Sequence, residues 1–363
     1  MKKMSKKLIA IFMTVAMLFA LTACSDGKGN DAGGDGDKTL NVIGWSSLFT
    51  DKECQAIKEA TGITVNFTPF NSLEELFTKV KSGGVDYDLV VVGDYMLSTM
   101  VDQGLLKKLD QTKLTDTIAD VSDAFKNQNY DPNLEYCIPQ SGGTVGILVN
   151  RDKIDMEITS WEDLFDSSLQ DQIVMLDDQR IVLGIGNVLL GNDFNETDPD
   201  KIKASEKKME EIIPNIKSFT SFDQYDSFLN GEANIMVGWS YEAYMALQSF
   251  EGNWEYIYPE EGMHVYMDNY ALTANTQKDD LAYELIEYMC GVEFNEVMWS
   301  ESPGSRLASK AATEKIEVPE DQQSVVYPPE EQYTKGLYLI NLGEDMTTYD
   351  ECWTEFKQKA SLE

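Results

Sequence analysis

The sequence predicts an α/β fold in which helices cover both faces of a largely parallel sheet. Strand and helix signals alternate from residue 40 onward, which is the order of repeated βα units. Residues 89–92 (Leu-Val-Val-Val) form a short β-branched run, typical of a strand that is buried on both faces. About 325 residues follow residue 38, and a chain of that length usually forms two domains.

Capping signals mark the helices on either side of this central run. Residues 50–53 (Thr-Asp-Lys-Glu) are a capping box that opens one helix, and residues 72–75 (Ser-Leu-Glu-Glu) open a second. Gly62 and Gly83 follow the predicted ends. Further strands are predicted at residues 40–43, 63–67, 144–150, 173–176, 233–238 and 265–272. Further helices are predicted from about residue 96, from Ser160 and Pro199, and over residues 278–290, 292–300 and 345–360.

Two strand positions carry acidic residues that point to a ligand site. Asp94 and Tyr95 follow the central strand, and ligands of open α/β sheets bind beyond the carboxyl ends of the strands. A plain strand-to-helix turn is the alternative for these two residues. Asp268 lies in the middle of an apolar strand, where a carboxylate needs a partner or a wet cavity.

Residues 1–23 have the pattern of a lipoprotein signal peptide. Four lysines precede an apolar run over residues 8–21, which is shorter than the ~20 residues that span a bilayer. The run leads into Leu-Thr-Ala-Cys, which looks like a lipobox, so Cys24 is expected to carry the lipid. An ordinary signal peptide with an incidental cysteine is the alternative. Residues 24–38 are polar and predict a flexible tether, so we expect an exported protein, anchored by lipid to the outer face of the cell membrane.

Composition excludes several classes of function. The net charge is −34, and without the leader lysines 25 basic residues stand against 63 acidic ones, which argues against a nucleic-acid partner. A single histidine, His264, excludes a His-based triad and a multi-histidine metal site. Apart from Cys24 the cysteines are scattered and show no C-x-x-C spacing, so free thiols are expected, although a disulfide is possible outside the cytoplasm. No cofactor or metal is predicted.

A set of short motifs runs in order along the chain, at residues 44–46, 87–91, 109–114, 131–139, 159–164, 237–239 and 267–268. Each motif alone is weak, and the ordered set is specific. In this order the chain resembles bacterial extracellular solute-binding proteins of the spermidine/putrescine type, which deliver polyamines to ABC transporters. The resemblance runs colinearly from residue 40 to residue 359.

The resemblance implies a two-lobed, periplasmic-binding-protein-like fold of type II, with the ligand in a cleft between the lobes. One lobe would comprise residues 39–143 plus 267–311, and the other residues 144–266 plus 312–363. The strand around Asp268 would then cross between the lobes, with its carboxylate facing the cleft. A monomer that captures a polyamine and passes it to membrane permease subunits is the implied function.

The same resemblance implies a ligand site of aromatic rings and carboxylates. Such a site suits a polyamine, because aromatic faces attract ammonium groups and pack on methylenes, and carboxylates bind ammonium groups by charge-assisted hydrogen bonds. For Trp239 alone, core packing is an equal alternative, and for Asp178 a helix N-cap is the alternative. The implied ligand-binding residues are Trp45, Ser46, Asp94, Tyr95, Asp178, Trp239, Glu242, Tyr266 and Asp268.

The chain departs from the family pattern at several positions, and the groups lost include ones that hold the longer polyamine. Leu48, Gly93, Ile181 and Leu339 stand where the family has a tyrosine, a hydroxyl residue, a glutamate and a glutamine. Ser302 stands where a tyrosine is usual. Because these changes remove polar groups, a diamine such as putrescine is favoured over spermidine.

Three other interpretations remain open at this point. The same fold could bind a different small solute, such as a sugar, an amino acid or another organic cation, since a sugar site also uses Trp and Asp. A surface hydrolase with paired carboxylates is a second alternative, although no nucleophile motif such as G-x-S-x-G occurs. A purely adhesive role would need no cleft.

Overall fold

The computed structural model describes residues 38–361, which form one compact α/β unit. The signal peptide, Cys24 and most of the predicted tether lie outside these residues. The strands are β1 Thr39–Trp45, β2 Thr64–Phe70, β3 Leu89–Gly93, β4 Cys137–Asn150, β5 Ile173–Leu176, β6 Ile216–Thr220, β7 Ile235–Trp239, β8 Trp254–Ile257, β9 His264–Leu272, β10 Arg306–Leu307 and β11 Leu337–Tyr338. The helices are α1 Asp51–Thr61, α2 Leu73–Ser82, α3 Asp94–Asp102, α4 Thr115–Asp120, α5 Gln179–Leu189, α6 Pro199–Met209, α7 Gln224–Leu229, α8 Ser240–Leu247, α9 Asp279–Cys290, α10 Val292–Glu301, α11 Lys310–Thr313, α12 Gln323–Val326, α13 Glu330–Thr334 and α14 Met346–Ala360.

The sheet is mixed rather than largely parallel. Its strands are ordered β2-β1-β3-β9-β4-β7-β5-β6, with β8 and β10 paired to β4 and β11 paired to β9. Strands β1, β2 and β3 are mutually parallel, as predicted, and so are β5, β6 and β7. Strand β9 runs antiparallel to both β3 and β4, and therefore joins the two parallel groups through the centre of the sheet.

Strand β3 is buried on both faces, as its sequence predicts. Leu89 and Val91 pack in one apolar cluster with Ile57 of α1, whereas Val90 and Val92 pack in a second cluster with residues of α2 and α3. Every residue of the strand is buried. A separate apolar core, which includes Ile147 of β4 and residues of β5, β7 and α14, fills the region on the other side of β4.

Local signals set the helix boundaries near the site. The Thr50–Glu53 capping box forms at the start of α1, and Gly62 ends the helix in the left-handed conformation. Ser72 caps α2, and Gly83 ends it. The helix expected after Ser160 is only a short 3₁₀ helix, Trp161–Phe165, although its capping box forms. Trp161 is buried and donates its indole N–H to the Gly262 carbonyl at 2.8 Å, which ties this segment to a neighbouring loop.

The cysteines of the described chain carry free thiols, as expected. Cys137 and Cys352 are buried, and Cys54 and Cys290 are half-buried. None of the helices between residues 38 and 361 combines the length and apolar character needed to cross a bilayer.

Candidate functional site: a cleft of carboxylates and aromatic rings

A cavity of about 480 Å³ lies at the carboxyl ends of β1, β3, β5 and β7. This is the position that an open α/β sheet favours for a ligand. Strand β9 crosses the cavity, because it pairs with β3 on one side and with β4 on the other. Residues from both parallel groups of strands therefore line the same space.

Asp268 occupies the crossing point of these strands. It lies opposite Gly93 of β3 and Ser141 of β4, and its half-buried side chain lines the cavity. The indole N–H of Trp45, at the end of β1, donates to Asp268 Oδ1 at 2.7 Å. Burial raises the pKa of Asp268 to about 6, and the Trp45 bond opposes part of that shift.

Asp94 begins α3 directly after β3 and is only 5% exposed. Its Oδ1 accepts from the backbone N–H of Tyr95 at 2.7 Å, whereas Oδ2 is buried with no hydrogen-bond partner of ordinary geometry within residues 38–361. Burial raises the pKa of Asp94 to about 7, and the charge of Asp268 adds to the shift. The Tyr95 hydroxyl donates to Glu74 Oε1 at 3.0 Å at the edge of the cavity.

Asp178 follows β5 directly. Its side chain caps the start of α5, and the residue also lines the cavity. Its Oδ1 accepts from the amides of Arg180 and Ile181 at 2.9 and 3.0 Å, so the N-cap interpretation is confirmed. Burial raises its pKa, while those two amides and the Arg180 charge oppose the shift. Because Oδ1 receives both amides, Oδ2 remains available as an acceptor.

Aromatic side chains form the wall beside β9. The rings of Trp239 and Tyr266 meet edge to face with centroids 5.1 Å apart, and both line the cavity. A Cβ at Gly143 would lie 2.5 Å from the Tyr266 hydroxyl, so only glycine leaves room for this phenol. His264 contacts Trp239 and bonds the Leu337 carbonyl through Nδ1 at 2.8 Å, and burial lowers its pKa to about 4.

Two of the expected ligand residues do not line the cavity. Ser46 is exposed in the turn after β1, and its backbone N–H donates to the Phe70 carbonyl. Glu242 is buried, and its carboxylate accepts from the amides of Asp223 and Gln224 at 3.0 and 2.6 Å. The expectation for Glu242 is corrected for this reason: α8 directs its side chain to the start of α7, where a carboxylate satisfies free amides.

Sequence reasoning missed other residues of the cavity wall. Glu74, Arg180, Tyr241 and His264 all line it. Asp177 does so as well and is paired with Lys357 at 2.9 Å. No local pattern distinguishes these residues from ordinary surface or core positions, because tertiary packing alone brings them to the cleft.

The apolar residues that replace family polar groups are also at the cavity. Leu48, Ile181 and Leu339 line it, together with Gly93 and Ser302. Within residues 38–361 no group of three or more His, Cys, Asp or Glu side chains is close enough to hold a metal ion.

Comparison with known proteins settles the family. The model of the family described as bacterial extracellular solute-binding protein matches residues 52–324, about three quarters of the chain. The chain belongs to this family. The α/β fold with two lobes and a cleft, expected for an extracellular solute-binding protein, is thereby confirmed.

Named relatives of this solute-binding protein extend over nearly its whole length. It is 28% identical over 360 residues to the spermidine/putrescine-binding periplasmic protein of Escherichia coli, covering 98% of this chain and 99% of the relative. It is 26% identical to the putrescine/agmatine-binding protein of Pseudomonas aeruginosa over 301 residues, covering 78% and 80%. A solved spermidine/putrescine ABC transporter substrate-binding protein from Streptococcus pneumoniae superposes with a TM-score of 0.75 at 28% identity, covering 89% and 99%.

Proposed function

We propose that this protein captures a polyamine in its cleft and delivers it to the permease of an ABC importer. Three carboxylates facing one cavity, Asp94, Asp178 and Asp268, are the observation that carries the proposal. Ammonium groups bind carboxylates by charge-assisted hydrogen bonds, which are stronger than neutral ones. Relatives named for spermidine and putrescine support the same ligand class.

The aromatic rings of the cleft bind the methylene chain between the ammonium groups. Trp45, Tyr95, Trp239 and Tyr266 line the cavity and supply flat apolar faces. Each ring that an ammonium group approaches contributes about 0.5–2 kcal/mol. The protein acts as a binding protein and catalyses no reaction on the amine.

A diamine of the putrescine type is the preferred ligand. Leu48, Ile181 and Leu339 offer no hydrogen-bond acceptor where they line the cavity. A longer triamine would place its third ammonium group against such apolar side chains, where a charge without a partner is costly. Spermidine therefore binds more weakly than putrescine in this proposal.

The protein works as a monomer that a lipid on Cys24 holds at the outer face of the membrane. Residues 24–38 act as the tether, and the folded part divides into residues 39–143 plus 267–311 and residues 144–266 plus 312–363. Closure of these two lobes about the crossing strands β4 and β9 encloses the amine. The lobes then present it to the permease.

Isothermal titration calorimetry with putrescine, spermidine and a panel of neutral sugars tests the ligand class. Putrescine is expected to bind, and Asp268→Asn is expected to weaken binding roughly ten- to hundredfold, because a hydrogen bond to a charged group contributes about 1.5–3 kcal/mol. Asp116→Asn is the matched control, since Asp116 is an exposed carboxylate that does not line the cavity. Heat with a sugar but with no oligoamine, or equal affinities in the wild type and Asp268→Asn, would contradict the proposal.

A further inference from the structure

Asp94 and Asp268 are neighbours across two paired strands. Gly93 is the register partner of Asp268, and Asp94 is the next residue along the chain. Both residues line the cavity, and the charge of Asp268 adds to the rise that burial causes in the pKa of Asp94. The two groups therefore form a pair at the crossing point rather than two separate sites.

Each carboxylate of the pair has one oxygen committed to the protein. Asp94 Oδ1 accepts from the Tyr95 amide, and Asp268 Oδ1 accepts from the Trp45 indole. Asp94 Oδ2 is buried with no partner of ordinary geometry within residues 38–361, although the Met267 amide is close enough to favour the charged form. A buried acceptor without a partner is unfavourable, and Asp94 is a residue of the cavity wall, so Oδ2 calls for a donor.

We propose that Asp94 and Asp268 form a single subsite for a primary ammonium group, which the pair accepts in exchange for a proton. The proposal deepens the polyamine function proposed above and rests on it. The O–H bond of the protonated carboxyl breaks, and its proton passes to solvent. The ammonium group keeps all three of its N–H bonds and donates to the oxygens of the pair.

The exchange follows from the electrostatics of two close carboxyls. Without a cation beside them, two such carboxyl groups keep a proton up to a higher pH than isolated ones, because burial and the neighbouring charge disfavour ionisation. Burial raises the pKa of Asp94 to about 7 and that of Asp268 to about 6. An ammonium group at hydrogen-bond distance favours both charged forms, so the pKa of each carboxyl falls and the shared proton leaves.

The other groups that face the pair do not titrate in this range. Tyr130 and Tyr338 face Asp94, and Tyr266 and Tyr270 face Asp268. Burial raises the pKa of all four phenols, that of Tyr338 to about 12, so they remain neutral. Three further ionisable residues, Glu74, Asp178 and Arg180, lie at the edge of the cavity. Their charges act on Tyr95 rather than on the pair.

The subsite also selects among cations. A primary ammonium group brings three donors to the oxygens of the pair, whereas a trimethylammonium group brings a charge but no N–H. A quaternary cation would leave Asp94 Oδ2 without a partner and would be bulkier at a buried carboxylate. The pair should therefore discriminate against quaternary amines of equal charge.

Calorimetry of putrescine binding at pH 6.0 in buffers of different ionisation enthalpy measures the protons released. The wild type is expected to release about one proton at pH 6.0 and almost none at pH 8.5, since putrescine itself, like lysine with a pKa of about 10, stays largely charged over this range. Affinity is expected to fall roughly tenfold from pH 8 to pH 6. Asp94→Asn is expected to bind more weakly at pH 8 and to lose most of the proton release.

Glu53→Gln is the matched control for Asp94→Asn. Glu53 is a buried carboxyl whose pKa is also raised by burial, but it does not line the cavity, so its replacement should leave the proton release unchanged. The bis-trimethylammonium analogue of putrescine is expected to bind at least about tenfold more weakly than putrescine. The wild-type measurement needs no variant, so it decides the question even if Asp94→Asn folds poorly.

The possible results separate the subsite from the general function. Putrescine binding with no proton release at pH 6.0, or equal affinity for the bis-quaternary analogue, overturns the paired subsite and leaves polyamine binding intact. No binding of any amine at any pH overturns the polyamine function and the subsite together. Proton release that Asp94→Asn abolishes and Glu53→Gln preserves supports the subsite.

Discussion

At the scale of single residues, the environment of each carboxylate separates acids that are bonded within the protein from acids that line the cavity. The pKa values of Glu242 and Asp268 are both raised, because the loss of solvent around each carboxylate disfavours its charged form. Glu242 accepts hydrogen bonds from two amides at the start of α7, whereas Asp268 accepts from the Trp45 indole and lines the cavity. Their substitution should therefore affect different properties of the protein.

Glu242→Gln is expected to lower stability and to leave putrescine affinity unchanged. A glutamine presents only one acceptor to the two amides of Asp223 and Gln224, and a buried donor left unsatisfied costs about 1–3 kcal/mol. Urea unfolding measures the stability, and calorimetry measures the affinity. A loss of putrescine affinity with unchanged stability would contradict this prediction and would indicate that Glu242 contacts the ligand.

At the scale of elements, the crossing of β4 and β9 positions the aromatic wall. Tyr266 and Asp268 line the cavity and alternate with Val265 and Met267, which join an apolar cluster, and Met267 reaches the cavity as well. Strand β4 supplies Gly143 beneath the Tyr266 ring. The shape of the cleft therefore depends on the close approach of β4 and β9 at Gly143.

Gly143→Ala is expected to destabilise the protein and to weaken putrescine binding. The added methyl group would lie 2.5 Å from the Tyr266 hydroxyl and 2.7 Å from Ser240 Oγ, and overpacking of this kind costs about 1–3 kcal/mol. Gly84→Ala is the control, because its Cβ would approach Ser82 Oγ only to 3.8 Å. Thermal unfolding and calorimetry of both variants check the prediction, and equal behaviour of the two would contradict it.

At the scale of the whole molecule, the sheet gathers acids from distant parts of the chain into one poorly solvated region. Asp94 follows β3, Asp178 follows β5, and Asp268 lies within β9. Burial raises the pKa of each of these three carboxyl groups. If the proposed amine binds beside these groups, it favours their charged forms. Stability and ligand binding are then both expected to depend on pH.

Stability of the protein without amine is expected to fall as the pH rises from about 6.5 to 8.5. Asp94 and Glu242, with pKa values of about 7, bind more protons when folded than when unfolded, so their stabilising contribution is lost as the pH rises through 7. His264 has a lowered pKa of about 4, so its contribution to stability increases as the pH rises from 4 to its unfolded pKa of about 6.5. Above that range its contribution no longer changes. Thermal unfolding across this range tests the sign, and a melting temperature that rises from pH 6.5 to 8.5 would contradict it.

Putrescine is expected to make the protein more compact in solution. If the two lobes close about β4 and β9, the radius of gyration from small-angle X-ray scattering should fall as putrescine is added. Asp268→Asn, at a putrescine concentration that saturates only the wild type, should show no such change. An unchanged radius for the saturated wild type would argue against lobe closure, even if the amine binds.

The sequence alone determined the secondary structure around the site and the kind of chemistry present. The β-branched run of β3 and the Thr50–Glu53 capping box act through neighbouring residues, so their patterns are visible in the chain. The antiparallel pairing of β9 was not predictable in this way, because it joins residues almost two hundred positions apart.

Only the tertiary structure decided which acids face the cleft. The family resemblance implied that Glu242 binds the ligand, yet α8 turns its side chain toward the amides at the start of α7. Glu74 and Arg180, which carried no such pattern, reach the cavity. The physical reason is that a carboxylate's surroundings depend on contacts between distant elements, whereas strands and caps depend mostly on local periodicity and turn chemistry.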